Sequence, residues 1–258
     1  MLDSELLSDF MGRFFGYGDL SASIWFVGME EGGGNTEREM AQRLARWNDL
    51  GRRTVVDNAA FHAAVQNSAG DCMSYFFESR PKIQRTWVGL IRMLLSARGD
   101  NHDCAEAVRR IQSKEWGRTD SGNCLLELLP LPSPGVGAWH YDEWSTLSEL
   151  ASRESYRDQW SGPRAQALRQ LVREHGPSAV VFYSVSPDYL GQWSRVAGMD
   201  LASVEPEQMC RGNQGQSFTA RFAERNGTCF VTTYHPVYTG LTKEYFAAVG
   251  RTIRERTA

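Results

Sequence analysis

The chain reads as an α/β protein: a three-layer α/β/α sandwich on a central, mainly parallel four-stranded sheet, with one antiparallel edge strand. Three observations carry that expectation. Four short segments are continuously apolar and rich in β-branched or aromatic residues, which suits strands covered on both faces. Helical patterns lie between them, as crossovers between parallel strands require. An Asn226-Gly227 pair joins an alternating segment to the last apolar run, the signature of a hairpin.

In chain order, residues 23–28 (SIWFVG) form the first expected strand. Residues 82–97 follow as a helix, because Ile83, Trp87, Leu90, Ile91, Leu94 and Leu95 fall on one stripe. Residues 124–129 (CLLELL) are the second strand. A further helix is expected from Pro163, suited to a first turn, to Gly176, suited to a stop, with Leu168, Leu171 and Val172 on its apolar face. The third strand is 179–184 (AVVFYS) and the fourth 228–234 (TCFVTTY). Residues 217–223 alternate Phe218, Ala220 and Phe222 and supply the antiparallel neighbour. Residues 205–215 and 135–144 read as loops, and 241–253 closes the chain as a helix with Tyr245, Phe246 and Val249 inward.

With 258 residues, 41% apolar and 23% charged, a core is readily built, and disordered, coiled-coil and collagen-like classes are excluded. No linker or repeat divides the chain, so residues 1–258 are expected to form one domain. The longest apolar runs fall well short of a membrane span. Asp3, Glu5 and Asp9 occupy the place of a signal peptide's basic flank, so a soluble cytoplasmic protein, by expectation a monomer, follows. Five cysteines without a C-x-x-C pair argue against disulfide, zinc and iron–sulfur frameworks. A net charge of −3 gives no mean field toward nucleic acid, although 25 arginines against three lysines leave a local phosphate-binding groove open.

Chemistry in an open α/β sheet gathers at the carboxyl ends of the strands. There the first strand offers Gly28-Met29-Glu30-Glu31 followed by Gly32, Gly33 and Gly34, which permit close backbone approach to a ligand. The second carries Glu127 inside an apolar run before Pro130, and the fourth ends in Tyr234-His235-Pro236. Neither a Walker loop nor a G-x-G-x-x-G fingerprint is present. Convergence of Glu30, Glu127 and His235 on one pocket is the expected outcome.

The order and content of these segments resemble the uracil-DNA glycosylase superfamily, most closely its single-strand-selective monofunctional branch. Gly28-Met29-Glu30-Glu31-Gly32 stands where that family carries its first motif, Glu127-Leu128-Leu129-Pro130-Leu131 where it carries an asparagine-headed strand end, and His235-Pro236-Val237 where it carries a His-Pro-Ser motif. The resemblance implies that Glu30 positions or activates water, that His235 supports charge on the base, and that Glu127 reads the base edge. Gly28, Met29 and Glu31 then line the base pocket and Tyr238 reaches toward the DNA minor groove, with Arg211 or Lys243 near phosphate; by its position after the Pro-rich strand end, Trp139-His140-Tyr141 is the expected pocket lip. It implies a hydrolase of N-glycosidic bonds acting on DNA, with no cofactor and no metal. The sequence departs from the family at Glu31 for proline, Val237 for serine and Glu127 for asparagine. An ionised glutamate only accepts hydrogen bonds, so a base presenting N–H groups, or a Glu127 kept protonated by its strand, is expected in place of ordinary uracil excision. Two alternatives stand beside this reading. One is a non-catalytic protein of the same fold that binds nucleic acid, nucleotide or a protein partner. The other is a metal-dependent hydrolase using Glu30, Glu31 and His235, disfavoured because adjacent strand residues point to opposite faces.

Overall fold

In the computed structural model the described residues are 1–65, 72–135, 137–212 and 215–258, with the backbone alone for Cys72 and Met73. Eight strands form one mixed sheet in the order β3-β1-β4-β2-β5-β8-β7-β6. They are β1 (Gly16–Gly18), β2 (Ile24–Gly32), β3 (Val55–Val56), β4 (Asn123–Ser133), β5 (Ala179–Phe182), β6 (Glu207–Arg211), β7 (Ser217–Arg225) and β8 (Thr228–Thr232). The four expected strands are β2, β4, β5 and β8. They lie side by side and parallel in the centre, so that Phe26 of β2 is paired with Leu125 of β4 and Val181 of β5.

The sheet is wider than the four strands anticipated. β7 is the antiparallel neighbour of β8 that the Asn226-Gly227 turn foretold, and β6 pairs with β7 where a loop was expected at 205–215. The other edge is extended by β1, antiparallel to β4, and by β3, parallel to β1. These additions escape a reading of apolar runs because β1 and β3 are three and two residues long and β6 is polar and half-exposed.

Ten helices accompany the sheet among the described residues: α1 (Ser4–Arg13), α2 (Glu37–Asp49), α3 (Asn58–His62), α4 (Cys72–Phe76), α5 (Arg85–Arg98), α6 (Ala105–Lys114), α7 (Tyr141–Trp144), α8 (Arg153–His175), α9 (Pro187–Ala197) and α10 (Lys243–Thr257). α7 interrupts the loop expected at 135–144. The stripe on α5 is buried at Leu90, Ile91, Leu94 and Leu95, and it packs against Tyr245, Phe246 and Val249 of α10. α8 starts ten residues before Pro163. Ser152 caps it by accepting from the Ser155 N–H at 3.1 Å, and the exposed proline sits inside the helix. Both faces of the central strands are covered, since the consecutive residues Trp25, Phe26 and Val27 are all buried. Trp25 meets His175 at the end of α8, whereas Phe26 meets Trp116 beyond α6. No helix among the described residues is long and apolar enough to cross a membrane.

Candidate functional site

Parallel register brings three residues to one level on adjacent strands. Gly28 of β2 is the partner of Glu127 of β4, and Val27 is the partner of Phe182, so Tyr183 leaves β5 beside Gly28. The Tyr183 hydroxyl donates to Glu127 Oε1 at 2.6 Å across the gap that glycine leaves. A Cβ at position 28 would collide with Tyr183 Oη and with Glu127 Oε2, so the bridge needs glycine there. His235, three residues beyond β8, adds its ring at 5.9 Å from the Tyr183 ring and tilted by 53°. Its Nδ1 accepts the Val237 N–H at 3.4 Å.

Burial decides the protonation of this group. It pushes the Glu127 carboxyl up to about 8; the charges of Glu31 and Glu30 act in the same direction, and the Tyr183 hydrogen bond and Arg164 oppose them. Glu127 therefore holds its proton at neutral pH. Oε1 already accepts from Tyr183, which leaves the proton to Oε2, a buried atom with no partner among the described residues. Burial also lowers the His235 pKa, favouring the neutral imidazole, and raises that of Tyr183.

The two glutamates ending β2 diverge. Glu31 receives hydrogen bonds from the Tyr17 hydroxyl at 2.7 Å and Arg43 Nη1 at 3.0 Å, and His62 Nε2 lies 3.1 Å away. Burial would raise its pKa, but Arg43, His62 and Tyr17 together bring it down to about 2. Glu31 is thus a permanent anion tying β2 to β1, α2 and α3. Glu30 instead forms an ion pair through Oε1 with Arg153 of α8, which also donates to the Gly135 carbonyl at 2.6 Å. Burial raises the Glu30 pKa and Arg153 opposes it, while Oε2 is buried and unpartnered. Among the described residues, only Glu30 and Glu127 carry a buried carboxylate oxygen with no hydrogen-bond partner.

Several expected site residues have other work. Tyr141 is buried in the core, donates to the Pro132 carbonyl at 2.9 Å, and packs on Trp139 and Trp144, so it is no pocket lip. The Gly32–Gly34 run is no open cradle either, because Glu39 accepts the Gly34 N–H at 3.0 Å and the Asn35 N–H at 3.1 Å. Lys243 is paired with Asp103 at 3.0 Å. Met29 packs against the core half-buried, and Arg211 is exposed on β6. Tyr238 is 55% exposed beside Val237 at 49%, an apolar pair just beyond His235, with the Tyr238 ring against Tyr234 and Phe218. Tyr183, Arg153 and His62 were missed. Tyr183 carries a legible sign, a phenol closing an otherwise apolar strand, whereas the other two sit in helices whose pairing only the fold reveals.

Among the described residues, no group of three or more His, Cys, Asp or Glu side chains is placed to hold a metal ion. Glu30 and Glu31, engaged with different arginines, do not form a joint ligand pair. No protein-family model, curated protein or solved structure matches the chain.

Proposed function

We propose that the chain is a DNA glycosylase of the uracil-DNA glycosylase kind, a three-layer α/β/α protein that hydrolyses the N-glycosidic bond of a deaminated or damaged base. The observation that supports it is the contact of Glu127, inside β4, with Tyr183, just beyond β5, and of Tyr183 with His235, just beyond β8, while Glu30 near the end of β2 carries a second carboxylate oxygen with no partner among the described residues. Breaking this bond builds positive charge on the sugar and negative charge on the departing base. Glu30 Oε2 suits the sugar side, where a carboxylate can orient water and offset the cation. His235 suits the base side as a neutral donor. Glu127, a neutral acid, offers a hydroxyl donor at Oε2 beside a carbonyl acceptor at Oε1, a pair similar to the amide of asparagine. It can meet a base carbonyl, which an ionised glutamate cannot. The base leaves the stack to reach the pocket, and the exposed Val237 and Tyr238 are placed to fill the space behind it.

A second reading, base binding without cleavage, is favoured by the Glu30–Arg153 ion pair, which already satisfies one carboxylate oxygen. The test is release of free base from single- and double-stranded oligonucleotides carrying uracil, hypoxanthine, xanthine or an alkylated base. Release from at least one, lowered about 100-fold or more by Glu30→Gln, is the expected result. Retention of the oligonucleotide without release selects the second reading, and neither binding nor release removes both.

A further inference from the structure

At the end of the sheet opposite Glu127 lies a cavity of about 330 Å³, bounded by the C-termini of α8 and α9 and by the turn joining β7 to β8. Thr228, the first residue of β8, lines it, whereas His235 follows the last. The cavity is separate from the site described above.

Its charge is one-sided. Arg169, Arg173 and Arg225 line it and no acidic residue does. Arg169 and Arg173 stand one turn apart on α8, so their guanidinium groups share a face, where like charges repel. Among the described residues neither has a hydrogen-bond or ion-pair partner. Carbonyl groups at a helix C-terminus attract cations within the last turn. That accounts for Arg173, and Arg225 donates to the Gly198 carbonyl at the end of α9. It does not account for Arg169, which lies a turn earlier with its guanidinium close to Gly198. Val172, next to Arg173 on α8, and Val196 and Phe230 also line it, each largely buried.

We propose that this cavity binds a phosphate monoester carried on a flat or apolar body, of which a nucleoside monophosphate is the simplest. Two free guanidinium forks match phosphate oxygens in pairs, and a dianion relieves the repulsion between them. Val172, Val196 and Phe230 give the body an apolar lining, and the volume lies at the lower end of the range of small-molecule sites.

The test is calorimetric titration of the full chain with AMP and, separately, with inorganic phosphate. AMP is expected to bind saturably and more tightly than phosphate, which lacks the body. Arg169→Met and Arg173→Met are each expected to weaken AMP about tenfold or more, while Glu127→Gln leaves it unchanged. Arg173 is exposed, so its variant reports on binding even if the Arg169 variant folds poorly. No saturation up to about 10 mM AMP overturns the proposal, as does phosphate binding as tightly as AMP. Binding kept in the arginine variants but lost in Glu127→Gln also overturns it, since the nucleotide then occupies the other site.

Discussion

Glu127 owes its chemistry to its neighbours more than to its own side chain. Buried beside two other carboxylates and bonded by a phenol, it is pushed up to about 8, while Glu31, equally an acid near the end of a strand, is held at about 2 by Arg43, His62 and Tyr17. Gly28 makes the first of these environments possible by leaving room for the Tyr183–Glu127 bond. Replacing Gly28 by alanine forces a methyl group into both partners. We expect a loss of about 1–3 kcal/mol in urea unfolding, together with loss of the site's function. An unchanged midpoint would show that the bridge gives way freely. Glu127 and His235 were legible as candidates because one is a carboxylate inside an apolar run and the other lies where the chain leaves the sheet. Glu31 looked equally functional, and only its pairing with Arg43 and His62 reveals a structural anchor.

Elements were read well where periodicity is strong. The four central strands and the α5 and α10 stripes follow from apolar patterning, since burial on one face of a helix or both faces of a strand leaves that pattern. The extent of α8 did not, because a proline in an exposed position can continue a helix that caps and packing already hold. α8 also anchors β4 through Arg164, which donates to the carbonyls of Leu128 at 2.7 Å, Glu127 at 2.9 Å and Met11 at 3.0 Å, with its guanidinium 3.6 Å from the centre of the Phe15 ring. Burial lowers its pKa to about 9, so this side chain is retained at a cost, against the carbonyls it satisfies. Arg164→Met keeps the bulk and orphans those carbonyls. Thermal or urea unfolding should register a destabilisation of about 2–4 kcal/mol, and a neutral result would mean that water replaces the guanidinium.

At the scale of the whole molecule, groups distant in sequence meet because parallel order β4-β2-β5-β8 aligns the ends of four strands. Of the three groups expected to converge, Glu127 and His235 both contact Tyr183, which the sequence reading overlooked, whereas Glu30 engages Arg153 of α8 and Glu31 engages Arg43 and His62 of α2 and α3, because such partners depend on how helices pack. The central claim is that Glu127 works as a neutral acid while Glu30 works as an anion. The two demands oppose each other in pH. Raising the pH ionises Glu30 and increases the rate, then ionises Glu127 near 8 and removes its donor, giving a bell. The most direct measurement is the pH profile of base release, or of base-dependent oligonucleotide binding should no release occur, for the natural chain and for Glu127→Gln. The account requires a falling limb near 8 in the natural chain that disappears when a glutamine amide supplies the donor at every pH. A limb that persists in Glu127→Gln, or a natural chain indifferent to pH between about 6 and 9, would contradict it.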